Sequence, residues 1–178
     1  RVKATFGRGA YETEKKSVSY GTGLLADKFI FSARASNIKT DGYRNGAWIN
    51  FWSYFLGGAW YHKNGNLRVH FYGGPIEDGL VYVGVPKDFN EDDEQRRTNF
   101  LGDDEVENFN QPHWEALHEY RLSDNLTLNN SLFFIRGYGF FDFDGSWGTP
   151  EYFRLTPEFG YDVESIPSNA LIRAYVDN

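Results

Sequence analysis

The side chains of this sequence that could bind a metal ion are its histidines, four in number: His62, His70, His113 and His118. His113 and His118 are five residues apart, so on a β-strand they would face opposite sides and could not share a metal ion. The chain has no Cys, which excludes a disulfide framework and a thiolate ligand or nucleophile. We therefore predict that the histidines are polar strand residues and that the chain has no metal site.

Two groups of acidic residues could support other chemistry. The run Glu91-Asp92-Asp93-Glu94 could attract Ca²⁺, a hard cation that prefers carboxylates, but it lacks the spaced ligand pattern of a calcium loop. Glu115 and Glu119 share one strand face, and paired carboxylates can hydrolyse glycosides. No nucleophile elbow or other catalytic motif accompanies them. We predict a solvated acidic loop, carboxylates on a polar strand face, no cofactor and no enzymatic activity.

Composition narrows the class of protein that must position these residues. Aromatic residues make up 19% of the 178 residues, yet the mean hydropathy is −0.58. No apolar run approaches the roughly 18 residues of a membrane helix. A transmembrane β-barrel combines these properties because lipid-facing and lumen-facing residues alternate, and a lectin-like β-sandwich is the other candidate. The net charge of −7 argues against binding to nucleic acid.

Apolar and polar residues alternate with a period of two along most of the chain, which indicates β-strands. No segment shows a helical stripe of apolar residues. We predict an all-β fold with seven strands and essentially no helix, the strands lying near residues 2–6, 18–24, 29–36, 48–62, 67–72, 113–122 and 126–134. Most of these segments reach the 9–11 residues with which a tilted strand crosses a bilayer.

Short and long connections alternate between the predicted strands. The short ones are Ala26-Asp27, Asn64-Gly65-Asn66 and Ser123-Asp124-Asn125, whose Asn, Asp and Gly residues suit tight turns. The long ones are 39–46, 74–112 and 139–170. Such alternation favours an antiparallel up-and-down transmembrane barrel with short periplasmic turns and long extracellular loops, because Greek-key sandwiches do not sort loops in this way. Residues 88–107, within the loop 74–112, contain nine acids and two bases, so this stretch alone accounts for the net charge of −7.

Aromatic residues occur in two settings that a barrel would explain. Those near strand ends suit the interfacial belt of a membrane protein: Tyr43, Trp48, Tyr61, Tyr72, Trp114 and Tyr138. Those in or near the long loops suit ligand binding, and the candidates are Tyr82, Phe100, Phe109, Phe141 and Trp147. The alternatives are that the first group packs turns and the second packs the loops against each other.

Several segments together resemble one family. Phe31-Ser-Ala-Arg-Ala-Ser-Asn-Ile-Lys-Thr-Asp-Gly-Tyr43 is similar to a strand and loop of TonB-dependent receptors, and Tyr20-Gly-Thr-Gly-Leu24 to an early barrel strand. Leu122-Ser-Asp-Asn-Leu-Thr-Leu-Asn129 resembles a later hairpin, and Asn169 to Asn178 the segment that precedes a further strand. The order and spacing of these motifs resemble the Bacteroidetes-type members over nearly the whole chain.

The resemblance implies a fragment of about seven or eight strands from the early part of a larger barrel, in a Gram-negative outer membrane. It implies uptake of a siderophore, metal complex, vitamin or glycan, with the TonB complex acting through a plug domain that residues 1–178 lack. The absence of Met at position 1 and of a C-terminal aromatic strand end points to an excised or processed chain, inactive alone. Two alternatives stay open: a complete small outer-membrane barrel, and a soluble β-sandwich or lectin-like binding module.

Overall fold

The alternating sequence forms one antiparallel β-sheet in the computed structural model, which describes residues 1–162 and 171–177. The sheet has eleven strands: β1 (Val2–Arg8), β2 (Glu14–Gly21), β3 (Phe29–Thr40), β4 (Ile49–His62), β5 (Gly65–Gly73), β6 (Ile76–Gly79), β7 (Val106–Asn110), β8 (His113–Ser123), β9 (Leu126–Ile135), β10 (Tyr138–Asp144) and β11 (Leu171–Asp177). Three short 3₁₀ helices lie in the connections, at Lys87–Glu91, Gln95–Arg97 and Pro157–Phe159. The predicted all-β class is confirmed.

Six of the eleven strands are halves of three longer ones. Opposite β4, Tyr54 faces Gly73 of β5 and Phe51 faces Ile76 of β6, so the residue-for-residue register continues through the interruption. The register of the β5–β8 pair continues without a shift into the β6–β7 pair. The register of the β8–β9 pair continues in the same way into the β7–β10 pair. The described residues therefore form eight long strands in up-and-down order. The sheet is not closed, and within these residues β1 and β11 lie at its edges.

The interruptions lie side by side on three neighbouring strands, at Gly74-Pro75, Gln111-Pro112 and Arg136-Gly137. Proline has no backbone N–H to donate across the sheet, which ends the regular ladder there. The proline carbonyls still bind their neighbours, since Trp52 N donates to Pro75 O at 2.9 Å and Arg136 N to Pro112 O at 3.2 Å. This break line divides the sheet into a half that ends in tight turns and a half that ends in long loops.

The turn end of the sheet carries two connections of two residues and, between β2 and β3, one of seven residues at 22–28. Ala26 and Asp27 adopt positive φ values of 47° and 54°, as tight hairpins require. Lys63-Asn64 joins β4 to β5 and Asp124-Asn125 joins β8 to β9, while Gly65, Asn66 and Ser123 belong to the strands. The opposite, loop end also has one tight turn, at Tyr11 and Glu12 (φ 56° and 52°). The sequence predicts long connections at one end of the sheet and short ones at the other, and this separation is therefore not strict.

The long connections are shorter than predicted. The segments 76–79 and 106–110 pair within the sheet, so the loop expected at 74–112 is confined to 80–105. The loop expected at 139–170 starts only after Asp144, and its residues 163–170 lie outside the described part of the chain. Leu171–Asp177 is a strand paired with β10, in a segment where the alternation pattern predicts none. These strands were missed because their polar residues do not alternate cleanly with apolar ones.

The acidic loop 80–105 is held by specific hydrogen bonds. The Arg44 guanidinium donates to the carbonyls of Val81 at 2.9 Å, Val83 at 2.7 Å and Thr98 at 2.6 Å. The Glu105 side chain, 5% exposed, accepts hydrogen bonds from the backbone N–H groups of Gly102 and Asp144. The loop is thus a folded cap whose acidic residues 91–94 remain exposed.

The sheet has no conventional core. No Ala, Val, Ile, Leu, Phe, Tyr or Trp side chain among the described residues is buried, and the sheet forms a single layer with no second sheet packed on it. A soluble domain normally buries the apolar face of a sheet against another layer. The function of this chain therefore depends on what its two faces contact.

Candidate functional site

Strand register gives the sheet two chemically different faces. On one, which we call the apolar face, Phe31, Gly58, Val69, Ala116 and Leu132 form a row across five strands. The next row towards the loops contains Val2, Tyr20, Ala33, Leu56, Phe71, Trp114 and Phe134. All of these residues except Val2 line a shallow groove of about 630 Å³.

The apolar face is exposed to an extent unusual for a protein in water. Leu132 is 73% exposed, Phe134 59% and Leu56 52%. On β4, Leu56 lies midway between Trp52 and Trp60, which are also on this face. Eight residues at about 3.3 Å each separate the two indoles by about 26 Å along the strand. Monomeric soluble proteins rarely expose a continuous apolar surface of such size, so this face is suited to contact an apolar partner.

The opposite face, which we call the polar face, carries hydroxyl, charged and small residues between β1 and β5, with Ile30, Ile38, Phe51 and Phe55 among them. Thr5, Ser17, Ser36 and Ser53 form one row across four strands, and Ser36 and Ser53 share a hydrogen bond of 2.8 Å. Further along this face, Tyr72 Oη donates to Glu115 at 2.7 Å and His70 Nδ1 lies 3.2 Å from the same carboxylate. Glu119, on the same face as Glu115, does not share these partners.

The aromatic residues predicted to form an interfacial belt do not lie in one row. Trp114 and Tyr138 are on the apolar face, whereas Tyr61 and Tyr72 are on the polar face. Tyr43 and Trp48 lie in the connection 41–48 at the loop end, where Tyr43 packs edge-on against Tyr11. A belt in contact with lipid requires side chains on the lipid-facing side, so Tyr61 and Tyr72 are poor candidates. Trp52 and Trp60, which the sequence did not single out, are better placed.

The aromatic residues predicted to bind ligand are dispersed. Tyr82 is 70% exposed, and Phe100 packs against Phe89 with ring centroids 6.1 Å apart, both in the loop 80–105. Phe109 and Phe141 belong to strands β7 and β10. Trp147 is 62% exposed and packs against Tyr152 and Phe153 with centroids 5.1 Å and 5.0 Å apart. Trp147 thus belongs to an aromatic cluster with Tyr152 and Phe153. The five candidates do not lie together in one site.

A polar row crosses the apolar face just beyond the break line. Asn37 Nδ2 donates to Asn50 Oδ1 at 2.9 Å, and Asn108 Nδ2 donates to Glu77 Oε1 at 3.0 Å. Asn50 and Glu77 are joined at 3.4 Å, which completes a chain over β3, β4, β6 and β7. The row marks where the apolar part of this face ends on the loop side. Residue spacing within one strand could not reveal it, because its members come from four strands.

Two carboxylates face each other on the polar side of the same region. Asp78 of β6 is directly opposite Glu107 of β7. Burial, and secondly the negative charge of Glu107, raise the pKa of Asp78 to about 6. Its Oδ1 atom is buried without a hydrogen-bond partner. The pair consequently destabilises the fold when both groups are ionised.

The remaining tests for a chemical site concern metals and helices. Across residues 1–162 and 171–177, no group of three or more His, Cys, Asp or Glu side chains is arranged to hold a metal ion. His113 and His118 lie on opposite faces, while the ring of His118 stacks on His62 with centroids 6.2 Å apart. In the same described residues, no helix has both the length and the apolarity to cross a membrane.

Comparison of the chain with protein-family models, with curated proteins and with solved structures gave no match.

Proposed function

We propose that this chain is part of the wall of an outer-membrane β-barrel and that the barrel belongs to a TonB-dependent transporter of Gram-negative bacteria. The observation that carries the membrane part is the apolar face: a single-layered sheet exposes Leu56, Leu132 and Phe134 with no buried apolar core behind them. In a bilayer this face contacts lipid, and the transfer of such side chains out of water stabilises the sheet.

Strand dimensions support the same proposal. β3, β4 and β8 contain 12, 14 and 11 residues, against about 5–6 in an average soluble strand. At a tilt of about 40°, the 26 Å between Trp52 and Trp60 corresponds to about 20 Å of membrane depth, close to the apolar band of about 25 Å in such barrels. Trp side chains at the two limits of the band match the preference of indoles for the interface.

The transporter part of the proposal rests on the ordered motifs that resemble TonB-dependent receptors. In this arrangement the polar face lines the lumen, the turn end faces the periplasm, and the loop 80–105 and residues 145–162 face outwards. The ligand is a siderophore, a metal complex, a vitamin or a glycan, and the TonB complex energises uptake through a plug domain.

The two alternatives account for fewer observations. A soluble β-sandwich or lectin-like module requires a second sheet on the apolar face, and the described residues form one layer. A complete small barrel requires its first and last strands to pair, whereas β1 and β11 are both edges of the sheet.

Single-cysteine labelling tests which face contacts lipid. Because the sequence has no Cys, Leu56→Cys and Phe55→Cys each create one attachment point, on neighbouring residues of opposite faces. With a polarity-sensitive fluorophore and the full chain in lipid vesicles, we expect a blue-shifted emission from position 56 that brominated acyl chains quench, and neither effect at position 55. Equal behaviour of both labels, or a monomeric, cooperatively folded chain in buffer without detergent, would refute the membrane proposal.

Uptake itself requires a separate experiment. The substitution Leu56→Arg is introduced into the gene that encodes this chain. It should abolish insertion of the protein into the outer membrane and growth on the transported ligand. Growth that persists while insertion is lost would contradict the transporter assignment.

A further inference from the structure

The polar face of the first three strands contains cations without carboxylates. Lys3 of β1, Lys15 of β2 and Arg34 of β3 all point to this face and are exposed. The only acidic residue within these three strands is Glu14, which lies on the apolar face. We call Lys3, Lys15 and Arg34, with the hydroxyl row between them, the basic patch.

The cations on the two faces of these strands differ in whether they form ion pairs. On the apolar face, Arg8 and Lys16 both form ion pairs with Glu14, at 2.9 Å and 2.6 Å. In the described part of the chain, none of the three cations of the basic patch forms an ion pair or a side-chain hydrogen bond. Their positive charge is therefore available to a ligand.

The hydroxyl row supplies neutral donors at the centre of the patch. Lys15 precedes Ser17 by two residues, and Arg34 precedes Ser36 by two residues on the antiparallel neighbour. The two cations consequently lie on opposite sides of the row. Lys15, Arg34, Ser36 and Ser53 line one depression of about 260 Å³, whose walls also include Ile38 and Phe51 of the same face.

We propose that this depression is a binding site for a tetrahedral oxyanion, such as a phosphate group carried by a ligand. The two cations and the hydroxyls offer more donors than the two oxygens of a carboxylate can accept, and charge-assisted hydrogen bonds to phosphate are the strongest interaction available to them. Binding costs little desolvation because the site is an open depression. The proposal does not depend on what covers the opposite face.

A second groove continues from the site and could hold the rest of such a ligand. It has a volume of about 680 Å³ and shares Arg34 and Ser53 with the depression. Its other walls include Phe55 and Tyr72, whose rings are 6.5 Å apart, and the Glu115 carboxylate that Tyr72 and His70 engage. The ligand that fits both spaces has a phosphate at one end and an apolar or aromatic part beside it.

A matched pair of double variants tests the site on the full chain, folded in a nonionic detergent or in buffer if it is soluble there. Lys15→Gln with Arg34→Gln removes two charges from the polar face, and Arg8→Gln with Lys16→Gln removes two from the apolar face of the same strands. Titration with inorganic phosphate, followed by calorimetry, should give saturable binding by the wild type. The first variant should bind at least tenfold more weakly and the second within twofold of the wild type. Far-UV circular dichroism checks that each is folded.

A third variant separates a built site from a diffuse positive charge. Ser36→Ala with Ser53→Ala leaves the charge unchanged and should weaken phosphate binding about threefold or more. Acetate should bind the wild type at least fivefold more weakly than phosphate. Absence of saturable phosphate binding, equal losses in the two charge variants, no effect of the serine substitutions or equal binding of acetate would each overturn the proposal. Since these outcomes concern the polar face, they are independent of the lipid-contact experiment.

Discussion

Replacement of Leu132 by Arg is a quantitative test of the environment of the apolar face. Leu132 is 73% exposed and lies opposite Ala116 in the interior of β9, so its own contacts with the protein are few. In water, a substitution at such a site changes the free energy of unfolding by no more than about 0.5 kcal/mol. On the lipid face of a membrane barrel, Arg costs about 2–4 kcal/mol at the midplane and less towards the interface.

The position of Leu132 on its own strand sets the expected cost. On the same face of β9, Phe134 follows it and the polar Asn130 precedes it, so Leu132 lies inside the apolar part of the face but near the limit of that part on the turn side, where the cost of Arg is at the lower end of this range. We therefore expect Leu132→Arg to lower the free energy of unfolding in lipid vesicles by about 2 kcal/mol, which is about 30-fold in the folding equilibrium constant. Denaturant titrations followed by tryptophan fluorescence would measure it.

Ser131 provides the matched control. It is the exposed neighbour of Leu132 and belongs to the polar face, opposite Leu117. Ser131→Arg introduces the same side chain at nearly the same depth on the other side of the sheet. Its cost in vesicles should stay within about 0.5 kcal/mol. A difference between the two variants of less than about 0.5 kcal/mol would refute the assignment of the faces.

Three further substitutions test other parts of the structure. Asp78→Asn should stabilise the chain by about 1 kcal/mol above pH 6, after allowance for solvent screening, because the pKa of Asp78 is raised to about 6 and its ionisation opposes folding. That gain should shrink as the pH falls through 6 and vanish below about pH 4, and unfolding titrations at pH 4 and pH 8 check the sign. Gly42→Ala should lower the melting temperature, since Gly42 has φ +77° and a Cβ atom there would collide with the Ala47 carbonyl, whereas Gly84→Ala should not, because a Cβ atom at Gly84 would meet no atom within 4 Å. Arg44→Gln removes the hydrogen bonds to Val81, Val83 and Thr98, so it should make the loop 80–105 more sensitive to limited proteolysis without loss of the strand signal in circular dichroism. Unchanged cleavage would show that these hydrogen bonds do not hold the loop in place.

Much of the strand content could be predicted because alternation is a local property. The segments 29–36, 48–62, 113–122 and 126–134 alternate clearly and correspond to β3, β4, β8 and β9 within a few residues. The positive φ of Ala26 and Asp27 likewise follows from a short connection between two strands. Strands β6, β7, β10 and β11 could not be found in this way. Each is a short segment, and what stabilises it is pairing with neighbours distant in sequence.

In the candidate site, too, some features follow from local alternation and others only from strand pairing. The sequence indicates that Lys15, Ser17 and Ser19 share one side of a strand, since side chains alternate strictly. It cannot indicate that Ser17 lies opposite Ser36, nor that Ser36 lies opposite Ser53. A shift of one residue in either register would send Arg34 or Ser53 to the other face. The basic patch is therefore a property of strand pairing.

The sequence by itself determined the all-β class, the alternation of two unlike faces and the position of the three turns at the turn end, because each depends on residues within one strand or hairpin. Only the tertiary structure decided that three pairs of segments are continuous strands, that the apolar side chains have no layer behind them, and that unpaired cations bracket a row of hydroxyls. Those features depend on hydrogen-bond register between strands far apart in the chain. Register is set by the packing and pairing of whole strands, which no local pattern specifies.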